Sequence, residues 1–417
     1  MSTPSLQMTP TAYKEGKLYS VLPTSGVGDF TVSRNSKATR VNQDGFIEEV
    51  DENVPRLDYT DGGCPLLLTE PQSTNFITDS EDISDSAWSK VNCSVLQNQI
   101  VSPDGNINAD KILETAVDSQ HRLDISTTIS SGVATFSLYA KAAERDSILM
   151  RIDQTVSFFD LTNGLTSSQG TTESFIKNVG NGWYRCTAIK PISNANEICR
   201  INITESYEVF NDYVGDPTKG VYIWGAQLEE LSYATSYIKT EGSTVTRLGD
   251  VVTDAGDAST FNSSEGVLYA EIEALTELNS SSSSISIGDG SYFGNSLIIQ
   301  YRALLNTITF KTFSSSVSTL DNFVIDLDEL NKVALKYKAN DCAFFINGVK
   351  VGINTSFAGF SALDRLNFDR GDGGEKFFSK TKELKVFNEA LSDSSLVDTT
   401  GFSSFIDMAQ QFNYELI

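Results

Sequence analysis

Alternation with a period of two, interrupted every few residues by turn formers, most restricts what this chain can fold into. Phe136, Leu138 and Ala140 alternate with Ser137, Tyr139 and Lys141. Ile148, Met150 and Ile152 alternate with Leu149 and Arg151, and Tyr184, Cys186 and Ala188 with Trp183, Arg185 and Thr187. A strand sends successive side chains to opposite faces, so each run predicts a strand with one buried face. Asn163-Gly164 and Gly180-Asn181-Gly182 supply the turns between them.

The pattern restarts after about residue 250. Leu268, Ala270 and Ile272 alternate with Tyr269, Glu271 and Glu273, and 297–313 supplies two more strands. Val333, Leu335 and Tyr337 are answered across a turn by Cys342, Phe344 and Ile346, and Asn347-Gly348 closes a two-residue hairpin. Ser280 to Ser284 reads as a polar loop. Between the two sets lies 220–246. There Val221, Ile223 and Gly225 are expected on one face of a strand and Tyr222, Trp224 and Ala226 on the other, before a joint at Gly242-Ser243. Phe405, Met408, Ala409 and Phe412 fall at i, i+3, i+4 and i+7 and predict a short amphipathic helix at the end.

The predicted fold is therefore all-β, in four parts. Residues 1–75 form an extended attachment region of small hairpins, one turning at Asp44-Gly45, that packs on other domains or on partner chains. Residues 76–245 form a β-sandwich, 246–402 a second sandwich, and 403–417 the helix.

Composition narrows the function. The net charge is −24, which opposes binding to nucleic acid or to an anionic membrane surface. No run of 18 apolar residues is present to insert in a membrane. The five cysteines are odd in number, without CxxC spacing, as in a chain made in a reducing compartment. The first 16 residues lack the basic start and apolar run of a secretory leader. The single histidine, His121, reads as a surface or strand-edge residue and leaves little room for Ser-His-Asp chemistry.

Several phrases occur in a telling order: SRNSKATRVNQDGFIEEVDENVPRLDY (33–59), CPLLLTEPQSTNFITDSEDISDSAW (64–88), Ser102-Pro103-Asp104-Gly105 and Ala109-Asp110-Lys111. Phe136 to Ala142, Asn181-Gly182-Trp183-Tyr184-Arg185, and IWGAQLEE with ATSYIKT (223–240) come next. In this order they resemble a module of bacteriophage tail and virion-surface proteins. The resemblance implies that 76–245 is a jelly roll of the carbohydrate-binding-module type. The order of strands from 262 to 400, with FINGVKVG and ELKVFNEALS, resembles a concanavalin A-like or laminin G-like sandwich. The family implies a non-enzymatic virion protein, a tail fibre or spike assembled as a homotrimer. It would be made in the host bacterial cytoplasm, displayed on the virion surface among other virion proteins, and bound to host cell-surface glycan. A polysaccharide depolymerase and a purely architectural component are the alternatives.

Sugar binding uses exposed rings that stack on apolar sugar faces, beside amides and carboxylates that bond hydroxyls. The candidates are Tyr292 and Phe293 in GDGSYFGNS, Trp88 in DSAWSK, and Tyr207, Phe210 and Tyr213 in ESYEVFNDY. Asp369-Arg370-Gly371-Asp372-Gly373-Gly374 is either a calcium loop, with Asp369 and Asp372 as ligands, or a wide turn.

Overall fold

The computed structural model describes residues 2–129, 132–170, 173–192, 196–274, 282–292, 294–302, 307–314, 317–324 and 329–401. They form an all-β protein of two sandwiches, the first a jelly roll, with one helix among the described residues.

The jelly roll pairs two six-stranded antiparallel sheets. One runs Ser89–Val91, His121–Thr128, Asn196–Ile203, Ser147–Ile152, Val156–Asp160, Leu165–Gln169 in spatial order. The other runs Cys93–Val101, Ile107–Glu114, Gly220–Glu229, Gly132–Ala142, Trp183–Ile192, Glu173–Asn178. The chain passes back and forth between the sheets, so residues far apart in sequence share one core. Phe136, Leu138, Ile148, Met150, Cys186, Ala188, Cys199 and Ile201 meet there, as alternation predicts.

Gly220–Glu229 departs from simple alternation. Opposite Ser137 to Tyr139 it carries one extra residue, pairing Gln227 with Ser137 and Trp224 with Tyr139. Gly225 supplies this bulge with φ +65°, and a Cβ there would stand 3.1 Å from the Tyr139 ring and 3.3 Å from Tyr237. An extra residue reverses the facing of every later residue in its strand. Ala226 and Leu228 therefore join Val221 and Ile223 in the core, while Trp224 packs on the outer face with Tyr139, Trp183 and Tyr237. The expectation that Ala226 shares a face with Trp224 is corrected by this bulge.

The second sandwich is built from both ends of the chain. Its larger sheet runs Val349–Asn354, Cys342–Ile346, Asn331–Lys338, Glu265–Ala274, Ser379–Phe387, Leu66–Thr69, Arg56–Asp58, and Leu6–Met8 also pairs with Ser379–Phe387. Facing it is a five-stranded sheet of Val317–Val324, Thr307–Ser314, Asn295–Arg302, Ser282–Gly288 and Arg365–Asn367. Of residues 1–75, expected as an extended region of small hairpins, Leu6–Met8, Arg56–Asp58 and Leu66–Thr69 add strands to the larger sheet, while Ala38–Val41 and Ile47–Val50 pair only with each other. Leu6, Met8, Leu18, Phe30, Leu57 and Leu67 lie in one core with Leu268, Leu335, Phe344 and Leu384. Two small hairpins bury too little to stand alone, and this core is where their apolar residues leave water.

Two local expectations change. Ser282 to Ser284 lie in a strand paired with Gln300 to Arg302, not in a loop, because cross-strand bonding overrides their weak β preference. The described helix is Asp393–Thr400, with the Ser392 hydroxyl accepting from Ser395 N, and Leu396 buries it on the outer face of the larger sheet. The helix expected within 403–417 lies outside the described residues. Asn347 and Gly348, at φ 47° and 82°, make the expected hairpin turn.

The jelly roll leaves the second sandwich through a neck of two strands, Ser73–Asn75 and Val245–Arg247. Val245 pairs with Asn75, Thr246 with Thr74, and Arg247 with Ser73. Asn75 fixes its upper end. Its amide donates to Ala226 O and Ile238 O, and its carbonyl accepts from Ile77 N and Leu228 N.

Candidate functional site

A buried charge network sits at the base of the neck. Arg34 Nη1 donates to Asp250 Oδ1 at 2.9 Å, and Arg56 joins Asp250 to Glu70, at 2.5 Å from the latter. Arg247 also bonds Glu70, and Ser236 donates to it from both N and Oγ, at 2.8 and 2.6 Å. All five charged side chains are nearly excluded from water. Burial alone would push the Glu70 carboxyl up, but Arg247 and Arg56 outweigh it and hold the group far below its ordinary value. Phrases in the sequence that stand up to about 200 residues apart thus meet at one point: Arg34 of SRNS, Arg56 of VPR, Glu70 of LLLTE, Ser236 of ATSY, and Arg247 with Asp250.

Above this network opens a cavity of about 620 Å³, to which the N-terminal stretch and both sandwiches contribute. Thr39, Arg40 and Val41 form one wall, Phe175, Lys177, Arg185 and Ile189 of the jelly roll another, and Glu273 and Lys380 reach in from the second sandwich. Its size falls within the roughly 300–1,000 Å³ of small-ligand sites. Asp61 bridges the two sandwiches at its edge, 2.6 Å from Lys380 Nζ and 3.6 Å from Lys177 Nζ. Burial disfavours the Lys380 ammonium, yet Glu273 and Asp61 outweigh that and raise its pKa.

The cavity wall carries polar groups whose valences the fold leaves open. Arg185 lies 5.4 Å from the Tyr139 ring centroid and donates from Nη2 to Ser137 Oγ and Thr235 O. It forms no ion pair among the described residues, and its buried Nε has no partner. Tyr233 Oη and Arg40 Nη1 are also buried without partners among the described residues. Phe175, 52 % exposed, offers an apolar surface beside them. A guanidinium on an aromatic floor, an open phenol and an exposed ring suit a polyhydroxylated ligand with an apolar face.

The structure distributes the sequence candidates elsewhere. Trp88 is 1 % exposed and its indole donates to Asp79 O at 3.0 Å, so it is a core residue, not a stacking platform. Tyr213 is also buried, its hydroxyl held by Glu114 Oε1 at 2.8 Å. His121 is buried, not at the surface: its two ring nitrogens face the carbonyls of Asn92 and Tyr213, and its ring packs on Tyr213. Tyr207 is half-buried on Leu149, Val156 and Phe158, and Phe210 is exposed beside Arg151.

Tyr292 and the loop Asp369 to Gly374 come together. The Arg370 guanidinium lies 4.3 Å from the Tyr292 ring centroid, with Phe313 at 4.9 Å. Phe293 lies outside the described residues. The calcium reading does not fit the donor set. Asp369 is buried and accepts from Gly371 N at 2.6 Å, while Asp372 is taken by Arg370 and by Gly374 N. Among the described residues no three His, Cys, Asp or Glu side chains are grouped to hold a metal. The cavity residues Phe175 and Tyr233 escape sequence reading: an exposed aromatic in a strand, like Phe175, and a buried one in a bend, like Tyr233, carry no local signature.

No protein-family model and no curated protein matches the chain. Solved structures similar to parts of it include the Ruminococcus gnavus IT-sialidase CBM40. That match has 17% identity and a TM-score of 0.31, and covers 34% of this chain and 86% of that one. Domains LG4-5 of the mouse laminin alpha1 chain match at 9% identity and a TM-score of 0.24, covering 64% and 86% of the two chains. Trypanosoma rangeli sialidase matches at 11% identity and a TM-score of 0.29, covering 93% and 78%.

Proposed function

We propose that this protein is a glycan-binding structural component of a bacteriophage virion appendage, a tail fibre or spike. It is displayed on the virion surface beside other virion proteins and assembled as a homotrimer. The observation that carries the binding role is the cavity between the sandwiches, with Arg185 on Tyr139 lacking a counter-ion among the described residues and Phe175 open to solvent. The phage assignment is supported by the ordered phrases from SRNS to IKT. Binding without catalysis is favoured by His121, the single histidine, which is buried with both ring nitrogens turned to backbone carbonyls.

Such a protein would work by repetition. Single-site affinity for one sugar is modest, and three copies on one appendage raise the effective concentration for the next contact. The test is adsorption of the purified protein to host cells and competition with phage adsorption, with Arg185→Ala and Phe175→Ala alongside. Adsorption that both variants weaken supports the reading. Absence of adsorption, or adsorption that neither variant alters, overturns it. Light scattering of the native chain checks the trimer.

A further inference from the structure

The jelly-roll sheet that faces away from the cavity has an outer face of unusual charge. Arg151, Arg200 and Asp124 stand in one row across three strands, paired Arg151 to Arg200 and Arg200 to Asp124. In the next row Leu149, Asn202 and Arg122 are paired. Ile148, Met150, Ile201 and Leu123 point to the core, so this second set points outward. Three guanidiniums therefore face one carboxylate in these two rows, with the Asp153 carboxylate acting on Arg151 from the end of its strand, on a chain whose net charge is −24.

The carboxylate is already committed. Both Asp124 oxygens accept from Arg122 Nε, at 2.9 and 3.2 Å, leaving Arg200 Nε 3.7 Å away. Arg200 Nη1 donates to the backbone oxygen of Asp153 at 2.6 Å, a contact that neutralises nothing. Arg151 has Gln154 Oε1 at 3.1 Å and the Phe210 ring centroid at 5.3 Å, and its buried Nε has no partner. The nearby loop carries Glu205 and Glu208, both exposed, and neither forms an ion pair with these arginines among the described residues. Like charges directly opposite on neighbouring strands destabilise a sheet, so the Arg151–Arg200 pair is a cost that a bound anion would remove.

The surroundings suit a sugar. Asn202 Oδ1, in the row beneath the loop, is buried and has no hydrogen-bond partner among the described residues. Phe210 is 39 % exposed and stands over Arg151, with Tyr207 beneath the same loop. A groove of about 390 Å³, lined by Asp124, Ser126, Ser89 and Ile198, continues from the row. We propose that this face is a second binding site, for an acidic saccharide whose carboxylate or sulfate is gripped by Arg151 and Arg200 while its ring packs on Phe210. This face shares no residue with the cavity between the sandwiches.

The test is calorimetric titration of the full chain with tetragalacturonate, with a sulfated tetrasaccharide and with neutral maltotetraose. Preferential binding of either acidic probe is expected, weakening as salt is raised. Arg151→Ala should cost about tenfold in affinity. Arg151→Lys, which keeps the charge but loses the planar fork, should cost less, and Arg185→Ala should leave this binding unchanged. The two acidic probes distinguish carboxylate from sulfate as the preferred group. No binding of either, equal binding of the neutral probe, or affinity unmoved by Arg151→Ala overturns the proposal. Loss of acidic-probe binding in Arg185→Ala instead of Arg151→Ala would place the anion in the cavity and also overturn it.

Discussion

Two groups of three arginines lie on opposite sides of the jelly roll, and they are resolved in opposite ways. At the neck, Arg34, Arg56 and Arg247 are buried with Glu70 and Asp250, and each guanidinium reaches a carboxylate. On the outer face, Arg122 and Arg200 reach Asp124, while Arg151 forms no ion pair among the described residues. The first group spends its charges on joining distant stretches of chain. The second leaves charge over, next to exposed aromatic surface. Buried pairing marks a structural role, and unpaired charge at a surface marks a place for something else.

The sharpest way to break this comparison is to delete one arginine from each group. Arg56→Ala should destabilise the protein by about 3–5 kcal/mol, since it leaves Glu70 and Asp250 buried with too little positive charge. Denaturant unfolding measures this, and a loss below about 1 kcal/mol would show that the neck does not depend on the network. The pH dependence comes from the same group. Glu70 has a folded pKa far below the ordinary glutamate value of 4.5, so the unfolded chain binds its proton first as pH falls. Its stabilisation is fully present above that value and is progressively lost below it. Unfolding midpoints at pH 7 and pH 3 should therefore differ less in Glu70→Gln than in the native chain.

Smaller effects test the open sites. Arg185→Ala should weaken glycan binding by about tenfold, or about 1.4 kcal/mol, and change unfolding stability by less than that. Arg151→Ala should raise stability by about 0.2–1 kcal/mol through relief of its repulsion with Arg200. The gain should shrink in high salt. A loss of stability in Arg151→Ala would mean that the outer arginines are structural after all and that the contrast with the neck is false.

Much of the fold is legible in the sequence because alternation is a local signal. The inward sets Phe136, Leu138, Ala140 and Val333, Leu335, Tyr337 are found in their cores. The parts that escape are non-local. Gly225 looks like any strand glycine, and only its pairing with Ser137 to Tyr139 reveals the bulge that turns Ala226 inward. The attachment of Leu6–Met8 to Leu384–Val386 is equally invisible, since nothing in LQM names a partner. Sites are harder still. Trp88 and Tyr213 stand out for their polar neighbours, yet the polar groups that meet them, Asp79 and Glu114, pin them inside. Arg151 is legible as outward-facing, but its pairing with Arg200 requires the register.

The neck also decides how the molecule carries force. Strands 73–75 and 245–247, antiparallel to each other, both span the distance between the second sandwich and the jelly roll. A pull that separates the two bodies therefore loads both covalent backbones along their length. The rungs between them, including the 2.7 Å Thr74–Thr246 hydroxyl bond, are neither unzipped nor sheared by that load. A single flexible linker would let one body swivel under tension. A doubled tether resists twist and passes the load to the sheets at either end.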